Sequence, residues 1–325
     1  MGAGFLQRYP APEACQIDLQ SKIIQALPRK DGYMERTKNI QGWLFSSPYL
    51  IYTLVFFIAP LIMSIALVFF DWNLISPNPI FVGLENFNEA LTSVRVHKAF
   101  LASYKFMGTF VPGVIIVSLI MALIVNALPR FKSLFSVGFF LPYLVSGVAL
   151  SLVVRGVLSY NGPVNVALRS MFGTSPDWLG TPTTAVFVIS AMIIWKMSGY
   201  YSLIFLSGLQ NIPKELYEAA SLDGASKWRQ FWSITVPMLY PAFYSVIVLA
   251  VGLVFAIFTE PYTLTNGGPA MATHTWQLEI YYQAFSSFRA GYAATVALLC
   301  SIVTFISIWV IRRIVEAWGH HYGWD

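Results

Sequence analysis

The sequence predicts an all-α, polytopic integral membrane protein of about six transmembrane helices, with one polar elbow between two of them. Three observations carry this. Of its 325 residues 57% are hydrophobic and only 11% charged, with a mean hydropathy of +0.63, whereas an ordinary soluble domain carries roughly 25% charged residues. Six apolar runs, at about 43–70, 103–127, 134–158, 184–207, 238–260 and 291–315, each approach or exceed the ~20 residues a spanning helix needs. Alternating segments of ~10 residues, the mark of a membrane barrel, are absent, and a bilayer leaves open strands unsatisfied.

Taken in order, residues 1–42 form a cytoplasmic leader ahead of the membrane domain. It holds Arg8, Lys22, Arg29, Lys30, Arg36 and Lys38, with Ile17, Ile24 and Leu27 spaced for one helical face and Pro28 ending it. An amphipathic helix on the inner membrane surface and a flexible leader both fit. No compact apolar core with a cleavage pattern is present in it, so no secretory signal is expected. Cys15 and Cys300 fall in the leader and the last apolar run, which makes them poor disulfide or metal partners. The membrane domain spans 43–315, and 316–325 is a short cytoplasmic tail.

Orientation follows from the basic residues. With the N-terminus inside, the leader, Arg130, Lys132, Lys214, Lys227, Arg229, Arg312 and Arg313 place thirteen Lys and Arg on the inner side. Only Arg95, Lys98, Arg169 and Arg289 fall outside. That asymmetry puts both termini in the cytoplasm and accounts for the net charge of +5 without a nucleic-acid partner. Outer loops then lie at about 71–102, 159–183 and 261–290, each long enough for structure of its own. Pro60, Pro112, Pro142 and Pro241 fall within spans, where each removes a backbone bond and can bend a helix.

The elbow is Leu209–Pro241, with its polar part at 209–237. Lys214, Glu215, Glu218, Asp223, Lys227 and Arg229 are lodged between two spans. Pro213 can open a helix at its first position, Glu215 and Glu218 favour that positive end, and Asp223-Gly224 breaks the helix. A second helix can run from Ser226 to about Thr235 before Pro237 stops it. Ala219 and Ala220 leave one side of the first helix nearly bare. A docking knob and a helix lying on the membrane surface both fit this composition.

Glu218-Ala219-Ala220, Asp223-Gly224-Ala225, Ile234 and Pro237 resemble the EAA signature of membrane subunits of binding-protein-dependent ABC importers. The preceding Ile212-Pro213-Lys214-Glu215-Leu216-Tyr217 is similar to the extension seen in the carbohydrate branch. Asp71-Trp72 with Phe81-Val82-Gly83-Leu84-Glu85-Asn86-Phe87 resembles the first outer loop of the first-permease type of the maltose and glycerol-3-phosphate importers. Thr265-Asn266-Gly267-Gly268-Pro269, with Thr273, resembles their last outer loop. The likeness covers roughly 43–315, with Val236 a mild departure where leucine is usual.

The resemblance implies the transmembrane domain of a type I ABC importer in a bacterial inner membrane. It implies that Glu215, Glu218, Ala219, Ala220, Asp223 and Gly224 form the coupling helix seated in a cleft of the ATPase. A second similar permease subunit, two ATP-binding cassette ATPases, a solute-binding protein and a saccharide are the implied partners. Asn266, Gly267, Gly268 and Pro269 would face the binding protein; as residues alone they also read as a hairpin tip.

The chemistry present agrees with a non-catalytic subunit. There is no G-x-x-x-x-G-K-[ST] phosphate loop and no H-E-x-x-H, so ATP and Mg are expected in partners and no cofactor in this chain. A membrane enzyme has no catalytic constellation to rest on. A stand-alone carrier or channel is the alternative, but no Asp or Glu lies within the core of a span, with Glu260 at an outer edge, and such carriers usually keep one.

Three cations fall within spans. Lys105 and Arg155 are near outer ends, where snorkelling accounts for them. Lys196 is near the middle of the fourth span, where insertion scales put a charge at ~2.5–3.5 kcal/mol. With no acid evidently placed to pair with it, its counter-charge is expected from another subunit or an anionic substrate, which tilts the substrate towards an acidic oligosaccharide such as alginate. Met192, Gly199 and Tyr200 share its helical face, Trp195 is its neighbour, and Gly199 leaves room beside it. Tyr200 and Trp195 are secondary candidates for the substrate pathway.

Overall fold

The computed structural model describes residues 31–73, 75–321 and 323. The chain divides between Met63 and Ser64 into two units. In the first, α1 (Asp31–Thr53) runs through a π-helical turn at Leu54–Ile58 into α2 (Ala59–Leu67), whose last residues belong to the second unit. The wider turn sits just ahead of Pro60, which has no N–H to donate back into it. Most of the expected leader, residues 1–30, lies outside the described residues.

The second unit is helical apart from one small pairing, with β1 (Phe70–Asp71) antiparallel to β2 (Ile80–Phe81) and Phe70 opposite Phe81. There follow α3 (Glu85–Thr92), α4 (Val94–Ala127), α5 (Lys132–Leu144), α6 (Gly147–Val157), α7 (Pro163–Phe172) and α8 (Pro182–Gln210). Beyond them are α9 (Lys214–Leu222), α10 (Lys227–Gln230), a π-turn at Phe231–Thr235 and α11 (Val236–Met238). The chain closes with α12 (Tyr240–Ala256), α13 (Thr259–Thr265), α14 (Trp276–Tyr281), a π-turn at Tyr282–Ser286 and α15 (Ala290–His321). Residues 316–321 continue the last helix.

Among the described residues four helices are long and apolar enough to cross a membrane, at Gln41–Leu67, Val94–Ala127, Pro182–Gln210 and Ala290–His320. The runs expected to be the third and fifth spans are not straight. The third is broken into α5 and α6, bent by 88°; the fifth, expected at 238–260, holds α12, which meets the elbow's second helix, Lys227–Met238, at 64°. Counting each bent pair as one span restores six.

Local chemistry accounts for both bends. Val145 and Ser146 take extended backbone after Pro142, and Leu239 leaves the helical region immediately before a helix with Pro241 in its first turn. Alone, α5 and α6 rise only about 20 and 16 Å, short of a ~30 Å hydrocarbon layer. Pro112, by contrast, sits inside the continuous α4.

Two apolar cores hold the second unit. α8 packs along α4, joining Phe106, Phe110 and Val114 to Ile189 and Phe205, with Leu239 and Val246 of the α12 region closing the cluster. Val96, Phe255, Trp276, Tyr292 and Val296 form the other, which ties α14 and α15 to the N-terminal end of α4. The first outer loop is anchored by Asn86, whose amide donates to Val68 O at 3.0 Å and Phe70 O at 3.1 Å.

Candidate functional site

The elbow folds from its own sequence. Pro213 is the extended residue before α9 (φ −60°, ψ 133°), one place earlier than the first-helical position expected of it, and Glu215 stands in the first turn. At the other end Asp223 leaves the helix and Gly224 enters the left-handed region at φ +77°. Gly224 N–H donates to Ser221 O at 3.1 Å and Ala225 N–H to Ala220 O at 2.9 Å. This paired closure needs a residue that tolerates positive φ. The Ser226 hydroxyl accepts from Arg229 N–H and opens α10.

Pro237 does not stop that helix. It runs to Met238 because the π-turn, with Val236 N–H donating to Phe231 O, widens the backbone ahead of the proline. The two helices are tied together by side chains. The buried Gln230 amide donates to Ser221 Oγ at 2.9 Å and Ala225 O at 3.0 Å, and the Tyr217 and Thr235 hydroxyls meet at 2.8 Å.

What remains exposed is the outer face: Glu215, Glu218, Ala219, Asp223 and Gly224, with Leu222 90% exposed at the tip. Ala220 is half-buried, so the bare side expected of both alanines is carried by Ala219. Trp228 and Trp232 add exposed aromatic surface beside it.

The mid-span lysine is paired within the chain, against the expectation from sequence. Lys196 Nζ lies 3.7 Å from Glu260 Oε1, the two side chains 18% and 12% exposed. The acid was placed at the outer edge of an unbroken span. Instead α12 ends at Ala256, the backbone breaks at Ile257 and Phe258, and α13 brings Glu260 against α6 and α8. Gly147, the first residue of α6, completes the cluster: a Cβ there would lie 3.0 Å from Glu260 Oε1 and 3.3 Å from Lys196 Nζ.

Gly199 does not open space beside the lysine either. Its missing side chain is occupied by the neighbouring helix, since a Cβ would fall 1.7 Å from the Phe139 carbonyl oxygen of α5. Met192 is buried and Trp195 half exposed. Tyr200 stacks on Tyr143, with centroids 5.0 Å apart. It borders a cavity of about 520 Å³ also lined by Phe140, Ser207, Asn211 and Ser245. Lys105 and Arg155 are exposed on α4 and α6, and among the described residues neither forms an ion pair. Lys105 borders a separate cavity of about 440 Å³ with Tyr104, Thr109 and Phe187.

The Asn266–Pro269 turn is more than a hairpin tip. Asn266 and Gly267 take φ +53° and +84°, and the Gly268-Pro269 bond is cis. The Tyr282 hydroxyl donates to Asn266 Oδ1. Thr273 donates to Gly268 O at 2.8 Å and meets the Thr265 hydroxyl at 2.6 Å. Behind the turn lies Glu279, with no exposed surface, which accepts from His274 Nε2 at 2.6 Å, Gln283 Nε2 at 2.7 Å and Arg95 Nε at 3.1 Å.

Burial pulls the Glu279 carboxyl upward, but the hydrogen bonds from His274 and Gln283 and the charge of Arg95 outweigh it and hold it below the usual range. An ionised carboxylate only accepts, so His274 carries its proton on Nε2. Sequence reasoning missed Glu279. It counted Arg95 only as an outer-loop cation, and the one available signal was an acid flanked by Leu278 and Ile280, which needs a partner if buried. A second tie, Arg289 to Glu89 through two bonds of 2.6 Å, joins the start of α15 to α3.

Residues 115–318 match the family model described as binding-protein-dependent transport system inner membrane component. The multiple sugar-binding transport system permease protein MsmF of Streptococcus mutans is 34% identical over 81% of this chain and 90% of its own length. The lactose transport system permease protein LacF of Rhizobium radiobacter is 31% identical over 86% of this chain and 97% of its own. In fold, the chain is similar to one in a crystal structure of a bacterial ABC transporter involved in the import of the acidic polysaccharide alginate. That match has a TM-score of 0.76 at 20% identity, over 88% of this chain and 98% of the other.

Proposed function

This chain belongs to the family of inner membrane components of binding-protein-dependent transport systems, multi-pass membrane proteins, and from that premise we propose that it is the translocation subunit of an ATP-driven saccharide importer. It works beside a second, similar permease subunit, two ATP-binding cassette ATPases that hold ATP and Mg, and an extracytoplasmic solute-binding protein. It sits in a bacterial inner membrane with both termini in the cytoplasm, an orientation that the distribution of Lys and Arg supports.

The observation that carries this reading is the elbow. A short, capped helix with Glu215, Glu218, Ala219, Asp223 and Leu222 turned outward is tied by Gln230 and Tyr217 to the helix that leads into α12. Displacement of α9 by the ATPase is thereby passed to the bent spans, which rock between inward and outward openings. The Asn266–Pro269 turn, held from behind by Thr273 and Tyr282, faces the binding protein.

The substrate is a saccharide, in keeping with the multiple-sugar and lactose permeases to which the chain is similar. The charge argument for an acidic one lapses, because the counter-charge of Lys196 is Glu260 of the same chain. The test is purification in mild detergent followed by reconstitution. ATP-dependent saccharide uptake that needs the co-purifying ATPase supports the reading. Uptake by this chain alone in liposomes overturns it in favour of a stand-alone carrier.

A further inference from the structure

The Lys196–Glu260 pair lies where two elements that follow breaks meet a continuous helix. Lys196 is midway along the 29-residue α8; Glu260 is in the first turn of α13, just past the Ile257–Phe258 break; Gly147 opens α6 at the 88° bend. Between α5 and α6, Val145 and Ser146 have non-helical backbone, and both are exposed. Irregular backbone at membrane depth is tolerated only where protein buries it or where it lines a watery cavity. The same holds for ionisable side chains inside a membrane. Both features occur within one cluster.

The pair's geometry is also unusual. Charge-assisted bonds between nitrogen and carboxylate close to about 2.7–2.9 Å, whereas this one stands at 3.7 Å. It is near enough to cancel charge and too open to satisfy every donor and acceptor. One ammonium and one carboxylate, partly exposed and unclosed, present hydrogen-bond donors and acceptors to a polyol with no net field towards an ion. Gly147 keeps the space beside them free of side chain, because any Cβ there would press on both charges.

Resting on the saccharide-importer reading, we infer that Lys196 and Glu260 form a charge-balanced selectivity element that accepts uncharged saccharides and discriminates against anionic ones. Glu260 is its decisive member: it masks a cation that would otherwise attract carboxylates. Removing the mask converts the site to anion preference, and removing Lys196 deepens rejection of anions.

The test measures binding of a panel of neutral pentasaccharides and their uronate-containing counterparts to the detergent-purified complex without its solute-binding protein, so that discrimination arises in the membrane subunits. The wild-type complex is expected to favour neutral sugars. Glu260→Gln should shift the uronate-to-neutral ratio upward by about tenfold or more, and Lys196→Met should shift it downward. The double variant, again without net charge, should return it towards the wild-type value and serves where a single variant fails to fold. Equal ratios in wild type and single variants, or a double variant no nearer wild type than Glu260→Gln, overturn the inference. ATP-driven uptake by the complete wild-type assembly is scored separately: its absence for every sugar overturns the functional reading and this inference with it, while uptake with unmoved ratios overturns the inference alone.

Discussion

At Gly224 the backbone sits at φ +77° with no atom within 4 Å of a would-be side chain, so conformation alone opposes replacement there. A β-branched residue in the left-handed region costs roughly 1–2 kcal/mol and would unwind the closure that fixes Asp223 and Ala225. Gly224→Val is therefore expected to abolish uptake while membrane insertion, read as the amount of chain in the membrane fraction, stays at wild-type levels; normal uptake would count against the coupling role. Gly199 obeys a different constraint, since the Phe139 carbonyl occupies the place of its side chain. Gly199→Ala should separate α5 from α8 and lower stability by about 1–3 kcal/mol, visible as a depressed melting midpoint in detergent. The turn at Gly224 is legible beside Asp223 in the sequence, whereas the contact that Gly199 serves emerges only from the structure.

Among elements, the outer loops are held by charged ties whose behaviour with pH can be worked out. The hydrogen bond from Arg289 keeps the Glu89 carboxyl below its ordinary value of 4.5, ahead of a smaller opposing effect of burial. A carboxyl depressed in the folded state lends stability that is present above its unfolded value and lost as pH falls through the folded one. The tie should thus be intact above about pH 4.5 and fail in more acid solution. Melting midpoints of wild type and Glu89→Gln should accordingly stay a constant distance apart above that value and converge as pH drops below it. Glu279 is more deeply committed, having no exposed surface and three donors. Glu279→Ala strands Arg95 and His274 and is expected to cost about 3–5 kcal/mol, measured by thermal unfolding, and to loosen the Asn266–Pro269 turn. The apolar runs were legible in the sequence because hydropathy needs only a window of neighbours, and the elbow because its polarity contrasts with both flanks. The breaks after Leu144 and Ala256 were not, since α5 and α6 together read as one apolar stretch and Pro142 alone does not distinguish a break from a proline carried within a continuous helix, as Pro112 is in α4. Missing that geometry hid the partner of Lys196: an acid assigned to the rim of a straight span is brought to mid-helix by a broken one.

For the whole molecule, six spans counted from hydropathy agree with four long helices and two bent pairs, and the family match covers residues 115–318. The orientation drawn from Lys and Arg predicts that a cysteine placed at Leu222 is labelled only from the cytoplasmic side, while one at Asn266 is labelled from outside. The reverse pattern would invert every role assigned above.

The lashing of α9 to α10 and the π-turn beyond it, by Gln230 and Tyr217, has one more consequence. On the importer reading, a lever without slack would make the stroke of the motor and the swing of the spans simultaneous, so that fuel would be consumed only when cargo moves. Cutting both lashings, with Gln230→Ala and Tyr217→Phe, should leave an engine that idles, splitting nucleotide at a steady pace whether or not sugar is offered.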